Sequence, residues 1–248
     1  MSISQLAHFV WKFAVRSIRK KRRFEIMYRF NYFKENDRKT LLEFIDRYPL
    51  AFVTGCATNQ TPVATQVPLL LLERDGELYL QGHIMKNTDH HKCFLENPKT
   101  LVVFTGPNAY VSASWYSTPQ IGSTWNYMSI HAHGQIRWMD DNELVDFMRR
   151  LTLKFEQGNL ASPTIYENLP ETFLQKMMPA IAGIEIKVDT LENVFKLSQN
   201  RDEASYRNII RELELRGGWS SEVAQEMKQR ITQLFPAGQE WDASRFES

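Results

Sequence analysis

The sequence predicts a mainly β fold in which an antiparallel sheet, closed or sandwiched, is flanked by helices. Between residues 50 and 82, short runs rich in β-branched residues alternate with tight turns, as in an antiparallel meander. Residues 124–138 form one long segment of apolar and polar alternation, which is the pattern of an extended strand. Helical spacing of apolar residues precedes and follows these segments, so we expect an α+β arrangement.

Local start and stop signals define each predicted element. Asp37 is positioned to cap a helix over residues 38–48, and Pro49 ends that helix. Turns at residues 59–60 and 74–76 separate the first strands. The predicted strands cover residues 50–56, 61–72, 77–82, 124–138 and 182–188, and the further helices cover residues 89–96, 140–157, 171–178, 203–216 and 220–234.

The two faces of the 124–138 strand differ in character. One face is expected to be apolar, and the other carries two large aromatic rings and two imidazoles: Trp125, Tyr127, Ser129, His131 and His133. Wide π surfaces interleaved with hydrogen-bonding groups suit a flat ligand with polar edges. Taken alone, however, an aromatic stripe of this kind is more often part of a core or an interface.

A second candidate site lies where the strand ending near Gly82 leads into the helix over residues 89–96. His83, Lys86 and Thr88 bring an imidazole, a cation and a hydroxyl to the free N–H groups of a helix start, which is an arrangement suited to a phosphate. The alternative is an ordinary capped helix with a solvated lysine. Asp89 favours that alternative because a carboxylate there would cap the helix and repel a phosphate.

Several chemical classes find no support. His131 and His133 form a His-x-His pair without a third ligand at a supporting spacing, so we predict no metal site and expect these rings to hydrogen-bond a ligand, a partner chain or a carbonyl. Neither a nucleophile elbow, a Gly-x-Gly-x-x-Gly motif nor a P-loop occurs. No catalytic residue can be assigned from the sequence.

Composition indicates a globular protein. Of the 248 residues, 43% are hydrophobic, which is ample for a core. Cys56 and Cys93 form no recognisable motif, so we expect free thiols and a cytoplasmic location. No apolar run approaches the roughly 18 residues of a membrane span, and we expect no integral membrane association.

Charge separates the N-terminal segment from the rest of the chain. Residues 1–24 hold seven basic residues and no acidic one, whereas residues 25–248 hold 23 basic and 29 acidic residues. This mildly acidic composition does not favour a nucleic-acid groove on the body of the protein. Residues 1–26 form a basic amphipathic arm for which three interpretations stay open: a membrane or nucleic-acid contact, a docking or swapped helix in an oligomer, or dispensable sequence upstream of the domain.

Three segments carry a resemblance to a known family: GPNAYVSASWY at residues 106–116, STWNYMSIHAHG at residues 123–134 and KLSQNR at residues 196–201. The chain resembles PaiB-type proteins, the FMN-binding negative transcriptional regulators built on a split β-barrel, over about residues 27–216. It departs from the family pattern at Gln66, where histidine is usual, at Lys86, which replaces arginine, and at Thr88, which replaces asparagine. Lysine keeps the positive charge but lacks the bidentate fork of arginine.

The resemblance implies a six-stranded, antiparallel, Greek-key-like split barrel with flanking helices that binds FMN at the interface of a homodimer. It assigns residues 27–200 to the FMN-binding domain and residues 201–248 to a C-terminal helical extension. By the same resemblance Thr65 and Gln66 would line the flavin, and His83, Lys86 and Thr88 would hold its phosphate. The ring would be covered, from this subunit or its partner, by Trp125, Tyr127 and His131. Ser198, Gln199 and Asn200 would add polar contacts, brace the interface, or only cap the following helix.

The use of the cofactor is a separate question with three hypotheses. The family implies a negative transcriptional regulator in which FMN is a ligand or a redox sensor, with nucleic-acid contact indirect or through the basic arm. The second hypothesis is a flavin-dependent oxidoreductase acting on a small molecule. The third is a haem-binding split barrel in which His131 or His133 ligates the iron.

Overall fold

A computed structural model describes residues 30–118 and 122–246, and its centre is one curled antiparallel sheet of seven strands. The strands lie side by side in the order β2-β1-β5-β6-β7-β4-β3, and each neighbouring pair is antiparallel. They are β1 (Leu50–Cys56), β2 (Pro62–Pro68), β3 (Leu70–Arg74), β4 (Glu77–Met85), β5 (Lys99–Val111), β6 (Thr124–Trp138) and β7 (Ile181–Lys196). The predicted mainly β, antiparallel class is confirmed.

The single strand predicted over residues 61–72 was wrong. Residues 61–72 are two strands, because the chain breaks at Leu69 and crosses from one edge of the sheet to the other. Before the break β2 pairs with β1, and after it β3 pairs with β4. The Leu69 N–H leaves the ladder and donates to the Pro49 carbonyl at 2.9 Å. This division is why the sheet has seven strands where the resemblance implied six.

The crossing chain curls the sheet so that β2 and β4 approach each other. Gly82 of β4 lies against this crossing: a Cβ there would stand 2.6 Å from Leu69 Cδ2 and 3.3 Å from the Pro68 carbonyl oxygen. A side chain at this position would therefore force the two edges apart. The close approach leaves an open crevice between β2 and β4.

The long central strands carry most of the pairing. The bounds predicted for β6 are confirmed, and so is its alternation, since Asn126, Met128 and Ile130 are buried while Trp125 is exposed. Strand β7 is longer than predicted, because it continues past residue 188 to pair with the first half of β6. Ile184 and Ile186 of β7 are fully buried, as expected.

Seven α-helices flank the sheet within the described residues: α1 (Arg38–Arg47), α2 (Asp89–Glu96), α3 (Asp141–Phe155), α4 (Glu171–Met177), α5 (Glu203–Arg216), α6 (Gly218–Gln229) and α7 (Ile231–Leu234). Asp37 caps α1 as predicted, and Asp140 caps α3 in a capping box with Glu143. Thr88, not Asp89, caps α2. The last predicted helix is two helices, which part at Arg230.

The two C-terminal helices pack into the same core as the barrel. Tyr206 of α5 is fully buried and donates its hydroxyl hydrogen to the Met227 carbonyl of α6 at 3.0 Å. Other members of this core are Phe44, Val53, Leu80, Phe94, Phe104, Ile130, Ile184, Phe195, Ile209, Leu213, Val223 and Met227. The arm predicted over residues 1–26 lies outside the described residues. Within the described part of the chain, no helix has both the length and the apolarity needed to cross a membrane.

Candidate functional site

The crevice between β2 and β4 has a volume of about 260 Å³. Four of the predicted site residues line it, namely Thr65 and Gln66 from β2, His83 from β4 and Thr88 from the start of α2. The remaining lining residues are Val67, Ile84, Met85 and His90. The crevice therefore brings together predicted residues that are separated by more than a dozen positions, because the chain crossing at Leu69 curls the sheet.

His83 is the chemically distinctive group of the crevice. Its Nδ1 is buried and has no hydrogen-bond partner among the described residues, and its ring lies 6.0 Å from the Phe147 ring of α3. Burial lowers the pKa of His83, because the charged imidazolium loses solvation there. A neutral imidazole with an unsatisfied buried nitrogen is available to hydrogen-bond a ligand.

The start of α2 is already engaged in local bonds. Thr88 Oγ1 accepts from the His91 N–H at 3.3 Å and donates to the Met85 carbonyl at 3.0 Å. Asp89 accepts from the His90 N–H at 2.7 Å. Lys86 is exposed and does not line the crevice. Of the predicted phosphate-holding group, His83 and Thr88 therefore line the crevice and Lys86 does not.

The second group of predicted residues lies on the outer face of the sheet. Backbone pairing sets Gln66, Phe52, Val103, His131 and Glu192 in one row across β2, β1, β5, β6 and β7. Successive members of such a row share a face of the sheet. Gln66 is therefore the residue that joins the crevice to the outer face.

The aromatic end of this outer face belongs to β6. The Trp125 side chain is 54% exposed and its ring lies 5.9 Å from Tyr110 in an edge-to-face arrangement. Tyr127 and His131 are half-buried. Burial, reinforced by neighbouring His133 and opposed by Glu192, lowers the pKa of His131. A single chain does not bring these three side chains into the crevice.

Ser198 and Gln199 form a rigid turn after β7. Ser198 has a left-handed φ of 63° and donates its hydroxyl hydrogen to Asn126 Oδ1 at 2.9 Å. Gln199 Oε1 accepts from the Leu197 N–H at 2.7 Å, while its Nε2 donates to the Phe195 carbonyl. Both side chains are buried. Their polar atoms are used inside the chain, where they hold the turn and the buried Asn126.

The sequence interpretation did not single out Lys196 and Arg201. Lys196 pairs across the strands with Tyr127 and donates to Thr124 Oγ1. Both cations line a cavity of about 240 Å³ on the outer face. The KLSQNR run contained them, but a lysine in an alternating strand and an arginine before a helix are ordinarily solvated, so the pattern gave no signal.

A buried carboxylate holds β4 and β7 in place near the crevice. Glu185 of β7 is 3% exposed and accepts from Gln81 at 2.6 Å, from Arg137 at 2.9 Å and from Arg74 at 3.2 Å. Burial alone would raise the pKa of Glu185, but the hydrogen bonds from Arg137, Gln81 and Arg74 outweigh it and lower that pKa. Among the described residues, no group of three or more His, Cys, Asp or Glu side chains could hold a metal ion.

Comparison with known sequences identifies the family. The profile of the family described as "Putative FMN-binding domain" matches residues 27–190. The Bacillus subtilis protein named protease synthase and sporulation protein PAI 2 is 32% identical over 189 residues, which span 76% of this chain and 89% of that protein. An uncharacterized protein of Emericella nidulans is 27% identical over 55% of this chain and 67% of its own length. The chain belongs to this PaiB-type FMN-binding domain family, and its curled sheet with flanking helices is the split barrel of the family.

Solved structures with a similar chain trace were also found. The FAD and heme binding protein of Mycobacterium smegmatis matches with a TM-score of 0.49 and 20% identity, over 65% of this chain and 72% of that chain. The flavocytochrome Anf3 of Azotobacter vinelandii matches with a TM-score of 0.48 and 19% identity, over 68% of this chain and 71% of that chain.

Proposed function

We propose that the protein is an FMN-binding homodimer in which each flavin lies between the crevice of one subunit and the aromatic outer face of the other. The observation that supports this proposal is the separation of the predicted residues. Thr65, Gln66 and His83 share the crevice, whereas Trp125 stands exposed on a different surface of the same chain. A second copy would supply the missing wall of each site.

The residues present fit a flavin. The unpartnered Nδ1 of His83 offers a hydrogen bond to a polar edge of the ligand, and Trp125 with Tyr127 offers wide π surfaces for its ring. Thr65 and Gln66 would orient the ring from β2, and Thr88 with the exposed Lys86 would hold the phosphate at the mouth. His131 would hydrogen-bond the ring, while Ser198 and Gln199 would brace the turn behind it. When bound, FMN supplies one- and two-electron transfer chemistry.

An apolar patch on the outer face supports the homodimer. Leu50 and Phe52 of β1 are 52% and 41% exposed, and Phe52 lies in the same row as His131. Neighbouring exposed apolar side chains beside aromatic ones are typical of a subunit interface. The patch is continuous with Gln66 at the crevice, so an interface here would bring both halves of the site together.

Mixed dimers test the shared site directly. One variant carries His83→Ala and Gln66→Ala, and the other carries Trp125→Ala and Tyr127→Ala. Each is expected to lose FMN binding alone, whereas subunit exchange between them should restore about a quarter of the sites, because half of the dimers are then mixed and each holds one intact site. Absence of any recovery, with exchange verified by mass spectrometry, would contradict a site shared between subunits.

For the biological role we propose first a negative regulator of transcription that uses bound FMN as a ligand or redox sensor. Support comes from family membership. Residues 25–248 carry more acidic than basic residues, so any nucleic-acid contact would be indirect or through the basic arm at residues 1–26. We also propose a cytoplasmic location. A gel-shift assay with DNA at fixed salt compares the full-length protein with a form that lacks residues 1–26. Equal DNA binding by both forms would show that the arm does not contact nucleic acid.

The second candidate is a flavin-dependent oxidoreductase. One observation favours it, namely the cavity lined by two cations, because one of them, Lys196, is the cross-strand neighbour of Tyr127 and a small substrate bound there would lie near the flavin ring. Bleaching of the flavin absorbance by NADPH under anaerobic conditions, followed by reoxidation on adding an acceptor, would support it. If no pyridine nucleotide reduces the bound flavin, the oxidoreductase hypothesis is rejected and the sensor hypothesis is retained.

A further inference from the structure

The outer-face cavity near Lys196 is built from three parts of the chain that are distant in sequence. Phe30, Tyr32 and Phe33 form one wall, Thr124 of β6 another, and the last residue of β7 with the following turn completes it: Lys196, Ser198, Asn200 and Arg201. The N-terminal segment is fixed over β7 by paired hydrogen bonds. Asn193 accepts from the Glu35 N–H at 2.8 Å and donates to the Glu35 carbonyl at 3.0 Å.

The turn holds Arg201 in a defined position. Its N–H donates to the Ser198 carbonyl at 3.0 Å, and its guanidinium lies 4.5 Å from the centre of the Tyr116 ring. The side-chain hydrogen bonds of Ser198 and Gln199 stabilise this turn. The backbone of Arg201 is therefore held in place before any ligand binds. Less conformational entropy is then lost on binding.

Among the described residues, no carboxylate forms an ion pair with Lys196 or Arg201. Asp202, the next residue, accepts instead from the hydroxyls of Ser205 at 2.7 Å and Ser117 at 2.9 Å.

Glu35 is engaged as well, since its carboxylate pairs with Arg230 at 3.0 Å. Two cations that line one cavity without a counter-charge among the described residues repel each other and lose solvation. The pKa of Lys196 is accordingly lowered, first by burial and then by Arg201. An oxyanion bound between them would relieve both costs.

We propose that Lys196 and Arg201 bind the carboxylate or phosphate group of a second small ligand, distinct from the flavin, in the cavity that these two cations line. The volume of about 240 Å³ is below the usual range for drug-sized ligands, so the ligand is small. Thr124 and Asn200 are positioned to add hydrogen bonds. Lys196 is the cross-strand neighbour of Tyr127. The proposed anion site does not depend on the flavin proposal.

Isothermal titration of the full-length protein with benzoate, phenyl phosphate and inorganic phosphate tests the site, with benzamide as the uncharged analogue. We expect benzoate or phenyl phosphate to bind and benzamide not to. The preferred headgroup distinguishes a carboxylate from a phosphate ligand. Equal binding of benzamide, or no binding of any of the anions, would overturn the proposal.

Two variants and one control assign the binding to the cations. Lys196→Met and Arg201→Gln should each lower the affinity at least tenfold, while Lys187→Met, an exposed lysine of the same strand paired with Glu77, should leave it unchanged. Thermal unfolding verifies that each variant folds, and if Lys196→Met does not, Arg201→Gln decides alone. Unchanged affinity in the folded variants would overturn the assignment.

An FMN titration separates this inference from the proposed function. If the ligand is distinct, Arg201→Gln retains FMN affinity, and phenyl phosphate does not compete with FMN. Competition together with loss of FMN affinity would reassign the two cations to the flavin phosphate and overturn a second ligand. If the protein binds the anions but does not bind FMN, the anion site is supported and the flavin proposal is rejected.

Discussion

Replacing Glu185 by glutamine is expected to destabilise the protein through a named set of contacts. The carboxylate is 3% exposed and receives hydrogen bonds from Gln81, Arg137 and Arg74. Breaking a buried ion pair costs about 3–5 kcal/mol. Here the arginine side chains are about half exposed, so water compensates for part of the loss, and we expect about 2 kcal/mol.

The measurement is urea unfolding at pH 7, where the expected change is a lower midpoint with an unchanged slope. In a thermal scan the same loss corresponds to about 4–8 °C for a chain of this size. Glu143→Gln is the matched control, because that carboxylate bonds the same Arg137 but is 41% exposed, and we expect below about 1 kcal/mol for it. Equal effects of the two substitutions would refute the reasoning.

The pH dependence has a definite sign. Since the folded-state pKa of Glu185 is lowered, its stabilisation is complete above the pKa of an unfolded glutamate and is lost as the pH falls through the lower folded value. The difference in stability between the wild type and Glu185→Gln should therefore shrink on acidification. A difference that stays constant between neutral and acidic pH would contradict a charged Glu185 in the folded protein.

Three further predictions concern the proposed site. Lys86→Ala should weaken FMN binding by up to about tenfold, because its exposed cation would meet the phosphate in water, and Lys92→Ala, which removes an exposed lysine of α2, is the control. Phe52→Asp should yield a monomer in sedimentation and lose FMN binding, because a charge would enter the proposed interface. Deleting residues 1–26 should preserve both fold and dimer, judged by circular dichroism and sedimentation.

Each of these has a contradicting outcome. Unchanged FMN affinity in Lys86→Ala would remove that residue from the phosphate site. A Phe52→Asp protein that remains dimeric would move the interface away from β1. A truncated chain that aggregates or becomes monomeric would make the arm part of the structure.

Much of the fold was predictable because its signals are local. The period-two alternation of β6 gave its bounds and its two faces, and the capping residues Asp37 and Asp140 gave two helix starts. The break at Leu69 is not specified by the local pattern, because Pro68 indicates only an irregularity in a strand predicted over residues 61–72. What divides them is the partner available on each side, β1 before the break and β4 after it.

The candidate site was predictable only in pieces. The resemblance supplied Thr65 and Gln66, while the start of α2 indicated His83 and Thr88 independently. The structure brings these four together, although nothing local to them reveals the crevice. Lys196 and Arg201 were missed because their cavity depends on Glu35 and Asn193, which are 158 residues apart and bond to each other. Contacts of that separation leave no local periodicity in a single sequence.

The most direct test of the central claim is the visible absorption spectrum of the purified full-length protein during titration with FMN. The account predicts perturbed flavin bands that saturate at one FMN per chain, since a symmetric dimer has two equivalent shared sites. Flavin bands that stay those of free FMN throughout the titration would contradict it. A Soret-type band in the purified protein would instead indicate haem, with His131 or His133 as its ligand.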